Sequence, residues 1–405
     1  MSKASQAAAL KVLIAGAGIG GLSAAIALRQ AGHAVEIFES SKFAAEVGAA
    51  IHLPPNVNVL LRQFGMNPEE HGANDTEWVT VMSSQGDIIS QKSLAGLKNE
   101  YPCPWQLIHR VDLHESLKTI ATSPEGKGTP AVLHLGAKVV SCDPAKPSVL
   151  LDNGRVIEGD LLIGADGSAL RAIISGEDIP TFPSGGSAFR FLVPINEVKT
   201  NPETASLVAR RGELQIWEGK FRRLVIYPCR HNTELNFVCL HPDTASWNNA
   251  ASVEDLLKVF SEYFKPMQTL LGMADPSTIK LWKLFDRRVL KTWVNGCAAL
   301  LGDAAHPFLP HQGQGGAQAI EDAAALGALF PMGTRKEDVQ RRLGAYMEAR
   351  YDRATMVQDF SRQMAFQTDE QDKVGGFSMD PMEFSKINFN HNAYVHAREI
   401  LNQQL

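Results

Sequence analysis

Three glycines and one glutamate near the start of the chain have the types and spacing that bind a dinucleotide. The glycines are Gly16, Gly18 and Gly21, and they follow a short apolar segment at 11–15 that is typical of a buried strand. Such glycines permit a tight turn, close approach of a pyrophosphate and close packing of a helix on a strand. Glu39 ends a second apolar segment, where a carboxylate accepts hydrogen bonds from an adenosine ribose. An acid there disfavours a 2′-phosphate, so the pattern predicts FAD or NAD and leaves the choice between them open.

Two later apolar segments each lead into an aspartate. Asp166 follows the segment 160–164, and Asp303 follows the segment 297–301. A carboxylate at a strand end is suited to the hydroxyls of a sugar-alcohol chain such as ribityl. After Asp303, the glycine turn at 313–316 precedes a predicted helix. The positive end of a helix stabilises the anionic charge of a reduced flavin, which a nicotinamide does not need, so this third segment favours a flavin.

In order and spacing, these segments resemble the flavoprotein aromatic hydroxylases typified by p-hydroxybenzoate and salicylate hydroxylases. Segment 46–56 resembles the flavin-side loop of that family, and 109–113 resembles its arginine-containing helix start. Segment 301–323 matches the third motif of the family almost residue for residue. The resemblance implies a monooxygenase with non-covalent FAD that uses NADPH or NADH and O2. It further implies hydroxylation of a phenolic or related aromatic small molecule through a flavin C4a-hydroperoxide.

The resemblance also implies which residues bind FAD. They are Gly16, Gly18, Gly21, Glu39, Ala50, Arg110, Asp166, Asp303 and Gly316. The chain departs from the family pattern at one arginine, which usually stands seven residues after the aspartate of the second segment. Here Arg171 comes five residues after Asp166, so the resemblance does not extend to a role for this arginine in NAD(P)H docking.

Three further residues are candidates for the substrate site. Arg190 stands between two phenylalanines in a predicted strand, so alternation directs it either into the pocket or to solvent. In the pocket it would hold a phenolate or carboxylate, and it resembles an arginine that dearomatising phenol hydroxylases of the family use in this way. Tyr227 is suited to hydrogen-bond the same oxygen, the competing interpretation being a core tyrosine. His52 is either a surface histidine or the base that deprotonates a phenol, changing state between about pH 6 and 9.

The elements that position these residues are predicted to form two interleaved domains. One is an α/β FAD-binding domain (Rossmann-like βαβ, glutathione-reductase-type), and the other is an α+β substrate domain built on an antiparallel sheet. The substrate-domain strands are predicted at 189–194, 213–217, 223–227 and 234–240, and a helix capped by Ser252 at 253–263. The predicted division is 1–75, 101–175 and 281–360 for the FAD-binding domain, 76–100 and 176–280 for the substrate domain, and 361–405 for a C-terminal helical segment.

Composition narrows the function further. The formal net charge is −5, which gives no basic footprint for nucleic acid. The five cysteines lie far apart without CxxC spacing, which argues against a disulfide framework or a zinc site and predicts a cytoplasmic protein. No apolar run is long enough to predict a transmembrane helix.

Two alternative functions remain open at this stage. One is a flavin-dependent epoxidase, oxidase or reductase that acts on a non-phenolic substrate. The other is a non-catalytic dinucleotide-binding module, which needs neither an aspartate for ribityl nor a helix that faces the flavin. The substrate, the position hydroxylated, the oligomeric state and the choice between NADH and NADPH stay open.

Overall fold

The computed structural model describes residues 9–42, 49–166, 169–243, 252–365 and 379–404. Residues 46–48 of the flavin-side loop and 167–168 of the second segment lie outside this part. The strands are β1 Lys11–Ala15, β2 Ala34–Glu39, β3 Ala50–Leu53, β4 Asn74–Asp75, β5 Trp78–Ser83, β6 Ile88–Ser93, β7 Gln106–His109, β8 Val132–Leu135, β9 Val139–Asp143, β10 Ser148–Leu151, β11 Val156–Glu158, β12 Leu161–Gly164, β13 Thr181–Pro194, β14 Glu213–Gly219, β15 Arg222–Cys229, β16 Glu234–Pro242, β17 Lys280–Arg287, β18 Val294–Asn295 and β19 Ala298–Leu300. The helices are α1 Ile19–Gln30, α2 Pro55–Phe64, α3 Leu97–Glu100, α4 Arg110–Thr122, α5 Arg171–Ser175, α6 Ile195–Thr200, α7 Val253–Val259, α8 Lys265–Leu271, α9 Gly315–Leu329, α10 Val339–Gln363, α11 Pro381–Asn390 and α12 Ala393–Gln403.

The first glycines form the strand–turn–helix unit that their spacing predicts. Gly16 has φ of +103°, a conformation that residues with a side chain rarely adopt. A Cβ atom on Gly21 would lie 2.0 Å from the carbonyl oxygen of Gly16. Only glycine therefore lets the first turn of α1 lie directly against the end of β1. The remainder of α1 is buried and packs on α4 and α9.

A six-stranded sheet brings the three predicted cofactor segments together. Its order is β18-β19-β12-β1-β2-β8, and only β18 runs antiparallel to its neighbour. Because β1, β12 and β19 are adjacent and parallel, the turns that follow them at Gly16, Asp166 and Gly302 lie at the same edge. Open parallel sheets bind their ligands at the carboxyl ends of the strands.

A seven-stranded sheet forms the second layer, in the order β17-β13-β16-β15-β14-β5-β6. Its neighbours are antiparallel except for β14 and β5. β5 and β6 come from the predicted substrate segment 76–100. β17, which the division at residue 280 placed with the FAD-binding domain, pairs with β13 in this sheet. β13 is 14 residues long and offers one edge to β16 and the other to β17.

The two faces of this sheet have different partners. Phe189 and Phe191 point into an apolar cluster with α7 and α8, whereas Arg190 points to the opposite face, toward the cofactor domain. Ser252 caps α7 as predicted, its Oγ accepting from the Asp255 amide at 3.1 Å. The predicted extension of this helix to residue 263 is wrong, since α7 ends at Val259. The hydroxyl of Tyr263 instead donates to the carbonyl of Trp217, which directs this residue onto the sheet.

The C-terminal helices return to the cofactor domain. α12 packs on α9 and α10, and α11 packs on α2. In the part of the chain that the structure describes, no helix is both long and apolar enough to cross a membrane.

A buried histidine makes the stability of this fold sensitive to acid. The Nδ1 atom of His33 accepts from the Leu10 amide at 3.1 Å, and Nε2 lies 2.7 Å from the carbonyl oxygen of Phe330. An amide can donate only to an unprotonated nitrogen, so this geometry requires the neutral imidazole. Burial lowers the pKa of His33, and Arg342 adds to the effect against the opposing bond from Phe330.

We expect His33→Gln to flatten the dependence of the unfolding free energy on pH below about 6.5. A histidine with a lowered folded pKa contributes stability above its unfolded pKa, and this is lost as pH falls toward the folded pKa. The wild-type protein should lose up to about 1.4 kcal/mol per pH unit through this group. Urea unfolding of the holoprotein between pH 5 and 7.5 measures the difference, with His71→Gln as the control. Parallel curves for wild type and His33→Gln would contradict this assignment.

Candidate active site

The carboxyl ends of β1, β2 and β12 surround a cavity of about 370 Å³. Gly16, Gly18, Glu39 and Asp166 line it together with His114. Cavities of a few hundred Å³ are typical of sites that hold small molecules and cofactors. Four of the residues predicted to bind FAD therefore share one cavity.

Polar groups in this cavity are oriented by the backbone. One carboxylate oxygen of Glu39 accepts from the Ala17 amide at 2.8 Å and the other from the Ser41 amide at 2.7 Å. Asp166 accepts from the Ala169 amide through Oδ2, whereas its buried Oδ1 has no hydrogen-bond partner among the described residues. Burial raises the pKa of Asp166 against several backbone hydrogen bonds. The glycine turn, the two oriented carboxylates and the unused acceptor fit the sugar hydroxyls and pyrophosphate of FAD.

Arg171 links the second and third cofactor segments. Its Nε donates to the carbonyl of Ala304 at 2.7 Å, and its Nη2 donates to the carbonyl of Asp303 at 2.5 Å. Burial lowers its pKa to about 10, so the guanidinium stays charged at neutral pH. The five-residue spacing from Asp166 thus gives an arginine that holds the backbone beside Asp303. No local pattern indicates this role, because it depends on the adjacency of β12 and β19.

The third segment presents an exposed carboxylate at the start of a long buried helix. The Asp303 side chain is exposed, and a Cβ atom on Gly315 would lie 4.0 Å from its Oδ1. Gly316 is in the first turn of α9, against Ile51 of β3. Asp303 and the amino end of α9 therefore face the same space, as the flavin interpretation requires.

A buried ionic network fixes this segment. Asp322 accepts from the Gly302 amide at 3.0 Å and from Nε2 of His306 at 2.7 Å through Oδ2, and from Nε of Arg350 at 2.8 Å through Oδ1. Arg350 also donates to Glu321 at 2.6 Å. Burial alone would raise the pKa of Glu321, but Arg353 and Arg350 hold it well below its ordinary value. His306 thus has a structural contact within this network.

The three candidate substrate residues meet at the flavin-side strand. The Arg190 guanidinium and the Tyr227 hydroxyl both donate to the carbonyl of Ala50, at 3.3 and 2.8 Å. The His52 ring lies edge-on to Tyr227 with centroids 4.8 Å apart, and 5.7 Å from the ring of Trp105. A Cβ atom on Gly313 would lie 3.2 Å from the imidazole, so the third segment closes over His52.

The charged side chains that affect the pKa values of His52 and Arg190 are arginines. Burial is the main cause that lowers the pKa of Arg190, and the nearby Arg110 guanidinium adds to it. Burial also lowers the pKa of His52 to about 4, with Arg190 contributing. A pKa of about 4 keeps the His52 imidazole neutral from pH 6 to 9, so its burial argues against the change of state expected in this range, and the role of His52 as a base stays a prediction. Burial raises the pKa of Tyr227, whose proton is engaged by Ala50, so this hydroxyl can offer a further ligand only its lone pairs.

Two residues that the sequence interpretation missed complete the site. Asn236 is fully buried, and its Oδ1 accepts from the Ala50 amide at 2.9 Å. Its signal, a polar residue in an otherwise apolar strand, is the same one that singled out Arg190. Trp105 lies between His52 and Phe389 of α11, with centroids 5.4 Å from the latter. No local pattern predicts that the C-terminal helices reach the wall of the site.

Comparisons with known proteins agree with this geometry. A family model described as "FAD binding domain" matches residues 9–361. A hispidin-3-hydroxylase from Neonothopanus nambi is 40% identical over 367 residues, covering 86% of this chain and 86% of the relative. A 3-hydroxybenzoate 6-hydroxylase from Aquipseudomonas alcaligenes is 33% identical, covering 87% of each chain. The crystal structure of HpxO from Klebsiella pneumoniae with FAD and uric acid has a TM-score of 0.77 at 27% identity, covering 97% of this chain and 96% of that one.

We expect Arg171→Leu to weaken FAD binding about tenfold to a hundredfold. The substitution removes charge-assisted hydrogen bonds worth roughly 1.5–3 kcal/mol each, and about 1.4 kcal/mol corresponds to a tenfold change. Titration of FAD into the apoprotein measures the dissociation constant, with the exposed Arg155→Leu as the matched control. An unchanged dissociation constant in Arg171→Leu would show that the cofactor does not depend on this link.

Proposed function

This chain belongs to the FAD binding domain family and is an FAD-dependent monooxygenase, and we propose that it hydroxylates a phenolic small molecule held between the seven-stranded sheet and the third cofactor segment. The observation that carries the proposal is the placement of Arg190. Strand alternation left two directions for this residue, and its side chain points to the cofactor side, where it contacts Ala50. Among the described residues it forms no ion pair with a carboxylate. A half-buried cation without an anionic partner is suited to an anionic ligand.

Each residue of the site has a separate role in the proposed reaction. When bound, FAD supplies the activated oxygen, with NADPH or NADH as the source of electrons and O2 as the oxidant. Arg190 holds the phenolate oxygen and favours the ionised form, which makes the ring more electron-rich. His52 is neutral and so has a free lone pair at an imidazole nitrogen that can accept the phenol proton. Tyr227 holds the Ala50 carbonyl in place, and this carbonyl in turn orients Arg190 and the ring of the phenol.

The substrate class is supported by the site and by the relatives. Val225, Val238 and Leu284 give the sheet an apolar surface on the same face as Arg190. Two relatives are named as hydroxylases of hispidin and of 3-hydroxybenzoate. An apolar surface with one half-buried cation matches an aromatic ring that carries one anionic oxygen. The uric acid complex of HpxO supports a non-phenolic heteroaromatic ring as the second candidate.

Finer features of the assignment belong to the same proposal. The strand–helix unit and the parallel sheet support the glutathione-reductase-type description of the FAD-binding domain. FAD is expected to be non-covalent, with Gly16, Gly18, Gly21, Glu39, Ala50, Arg110, Asp166, Asp303 and Gly316 as its contacts. All five cysteines are free thiols, which supports a cytoplasmic location.

The decisive experiment is a panel of aromatic compounds assayed with the purified FAD-loaded protein. Hispidin, 3-hydroxybenzoate, salicylate and urate are compared for stimulation of NADH and NADPH oxidation, with ¹⁸O2 incorporation into the product. Under the proposal a phenol stimulates oxidation and gains one oxygen atom from O2. Incorporation into urate alone would favour the heteroaromatic candidate. Oxidation that yields only hydrogen peroxide with every compound would favour an oxidase.

We expect Arg190→Ala to lower kcat/KM for the best phenol about tenfold to a hundredfold, because a charge-assisted hydrogen bond of roughly 1.5–3 kcal/mol is lost. Arg190→Lys should recover only part of this, since a point charge does not reproduce the planar guanidinium. NAD(P)H oxidation should become partly uncoupled from hydroxylation, while FAD affinity stays near wild type. Arg211→Ala, an exposed arginine, is the control. Unchanged kcat/KM with tight coupling in Arg190→Ala would place the substrate anchor elsewhere.

We expect His52→Ala to lower kcat by a factor that is nearly constant from pH 6 to 9. A positioned base contributes about 10²–10⁴-fold, and a group with a pKa of about 4 does not titrate in that range. Steady-state kinetics of wild type and variant across this range measure the ratio. A ratio of wild-type to variant kcat that rises steeply between pH 6 and 7.5 would mean that His52 titrates there and that its pKa in the loaded enzyme is near its ordinary value. Equal rates throughout would remove His52 as the base.

A further inference from the structure

The free edge of β3 is covered by side chains rather than by another strand. In the described three-stranded sheet β3 pairs only with β7, so the amide and carbonyl of Ala50 point away from the sheet. In an extended residue these two groups point to the same side of the strand. Asn236 Oδ1 accepts from the amide at 2.9 Å, while Tyr227 and Arg190 donate to the carbonyl. Side chains from three neighbouring strands of the seven-stranded sheet thus form hydrogen bonds with one residue of the flavin-side strand.

Asn236 is the member of this group whose hydrogen bonds are incomplete. Its side chain is fully buried, and the atom facing the Ala50 amide must be the oxygen, because an amide N–H needs an acceptor. The other atom is therefore Nδ2, a donor that has no hydrogen-bond partner among the described residues. The Nε atom of Arg190 is a second buried donor without such a partner. An unpaired buried donor is costly, so each of these two indicates an acceptor from a bound group, which is the proposed phenolate for Arg190 and a second group for Asn236.

We propose that Asn236 is a positioning residue for FAD. Its Oδ1 fixes the flavin-side strand at Ala50, and its Nδ2 donates to an oxygen of the bound flavin. This rests on the proposed function only in taking β3 as a flavin contact. His52 lies two residues beyond Ala50 on the same strand, so the hydrogen bonds to Ala50 also set the position of the imidazole.

Two substitutions separate the two hydrogen bonds of Asn236. Asn236→Leu has a similar shape and removes both, leaving the Ala50 amide buried without an acceptor. Asn236→Asp keeps an acceptor for the amide and removes the donor. The control is Phe237→Leu, because the neighbouring residue on β16 is equally buried but faces the opposite apolar cluster. It should lower the melting temperature without changing the surface that meets β3.

The measurements are the FAD dissociation constant, the visible circular dichroism of the bound flavin and its midpoint potential. We expect Asn236→Leu to raise the dissociation constant about tenfold and to alter the flavin dichroism. Asn236→Asp should give a smaller rise and a more negative potential, because a carboxylate beside the flavin disfavours its anionic reduced form. Phe237→Leu should match wild type in all three readouts. None of these requires turnover, so they are decided even if no phenol proves to be a substrate.

The results separate the parts of the proposal. If Asn236→Leu binds FAD within twofold of Phe237→Leu and has the wild-type dichroism, the positioning role is overturned. If Asn236→Asp has the wild-type dissociation constant and potential, the donor from Nδ2 to the flavin is overturned. A weakened Asn236→Leu then leaves the bond to Ala50 as the whole of the role.

Discussion

The ionic network between α9 and α10 is the interaction on which the geometry of the site depends. Arg350, Glu321 and Asp322 are fully buried, and each carboxylate has more than one donor. Removing charges from water is costly, so a buried pair of this kind is weak support for stability as such. The network does constrain the position of α9 relative to α10 strongly, because moving either helix would leave an unpaired charge in the interior. Asp322 extends that constraint to the Gly302 amide and His306, and thereby to the turn that carries Asp303.

From this fixed turn the remaining parts of the site are held by backbone contacts across segments. Arg171 connects the second segment to the carbonyls at Asp303 and Ala304, and Glu39 connects the end of β2 to the Ala17 amide. The flavin-side strand is held from the other domain through Ala50. The site therefore lies between two sheets, and neither sheet alone contains the residues that would hold both the flavin and a substrate. The strands of both sheets accordingly alternate along the chain.

Local patterns in the sequence predicted what depends on nearby residues, and missed what depends on packing. The glycines, Glu39 and the strands of the substrate domain follow from spacing and alternation, and the structure has them where predicted. Alternation gave Arg190 two possible directions, and only the packing of its phenylalanine neighbours on α7 and α8 decides between them. Asn236 carried the same signal but needed knowledge of what β16 faces. The lowered pKa of His52 depends on burial by segments distant in sequence, which no local pattern contains.

The electrostatics of the proposed pocket explain why a weak base is compatible with its chemistry. In the proposed reaction, transfer of a phenol proton to His52 creates a phenolate and an imidazolium in a partly buried space. Arg190 stabilises the phenolate and destabilises the imidazolium, and burial destabilises the imidazolium further. Because Coulomb energy falls with distance, a guanidinium in hydrogen-bond contact with the phenolate gains more than it loses against an imidazole that is farther away. The ionised substrate is then favoured while the proton is held weakly, so the imidazole passes the proton on and returns to its neutral form. A stronger base at this position would retain a positive charge near Arg190, which burial and that guanidinium both disfavour.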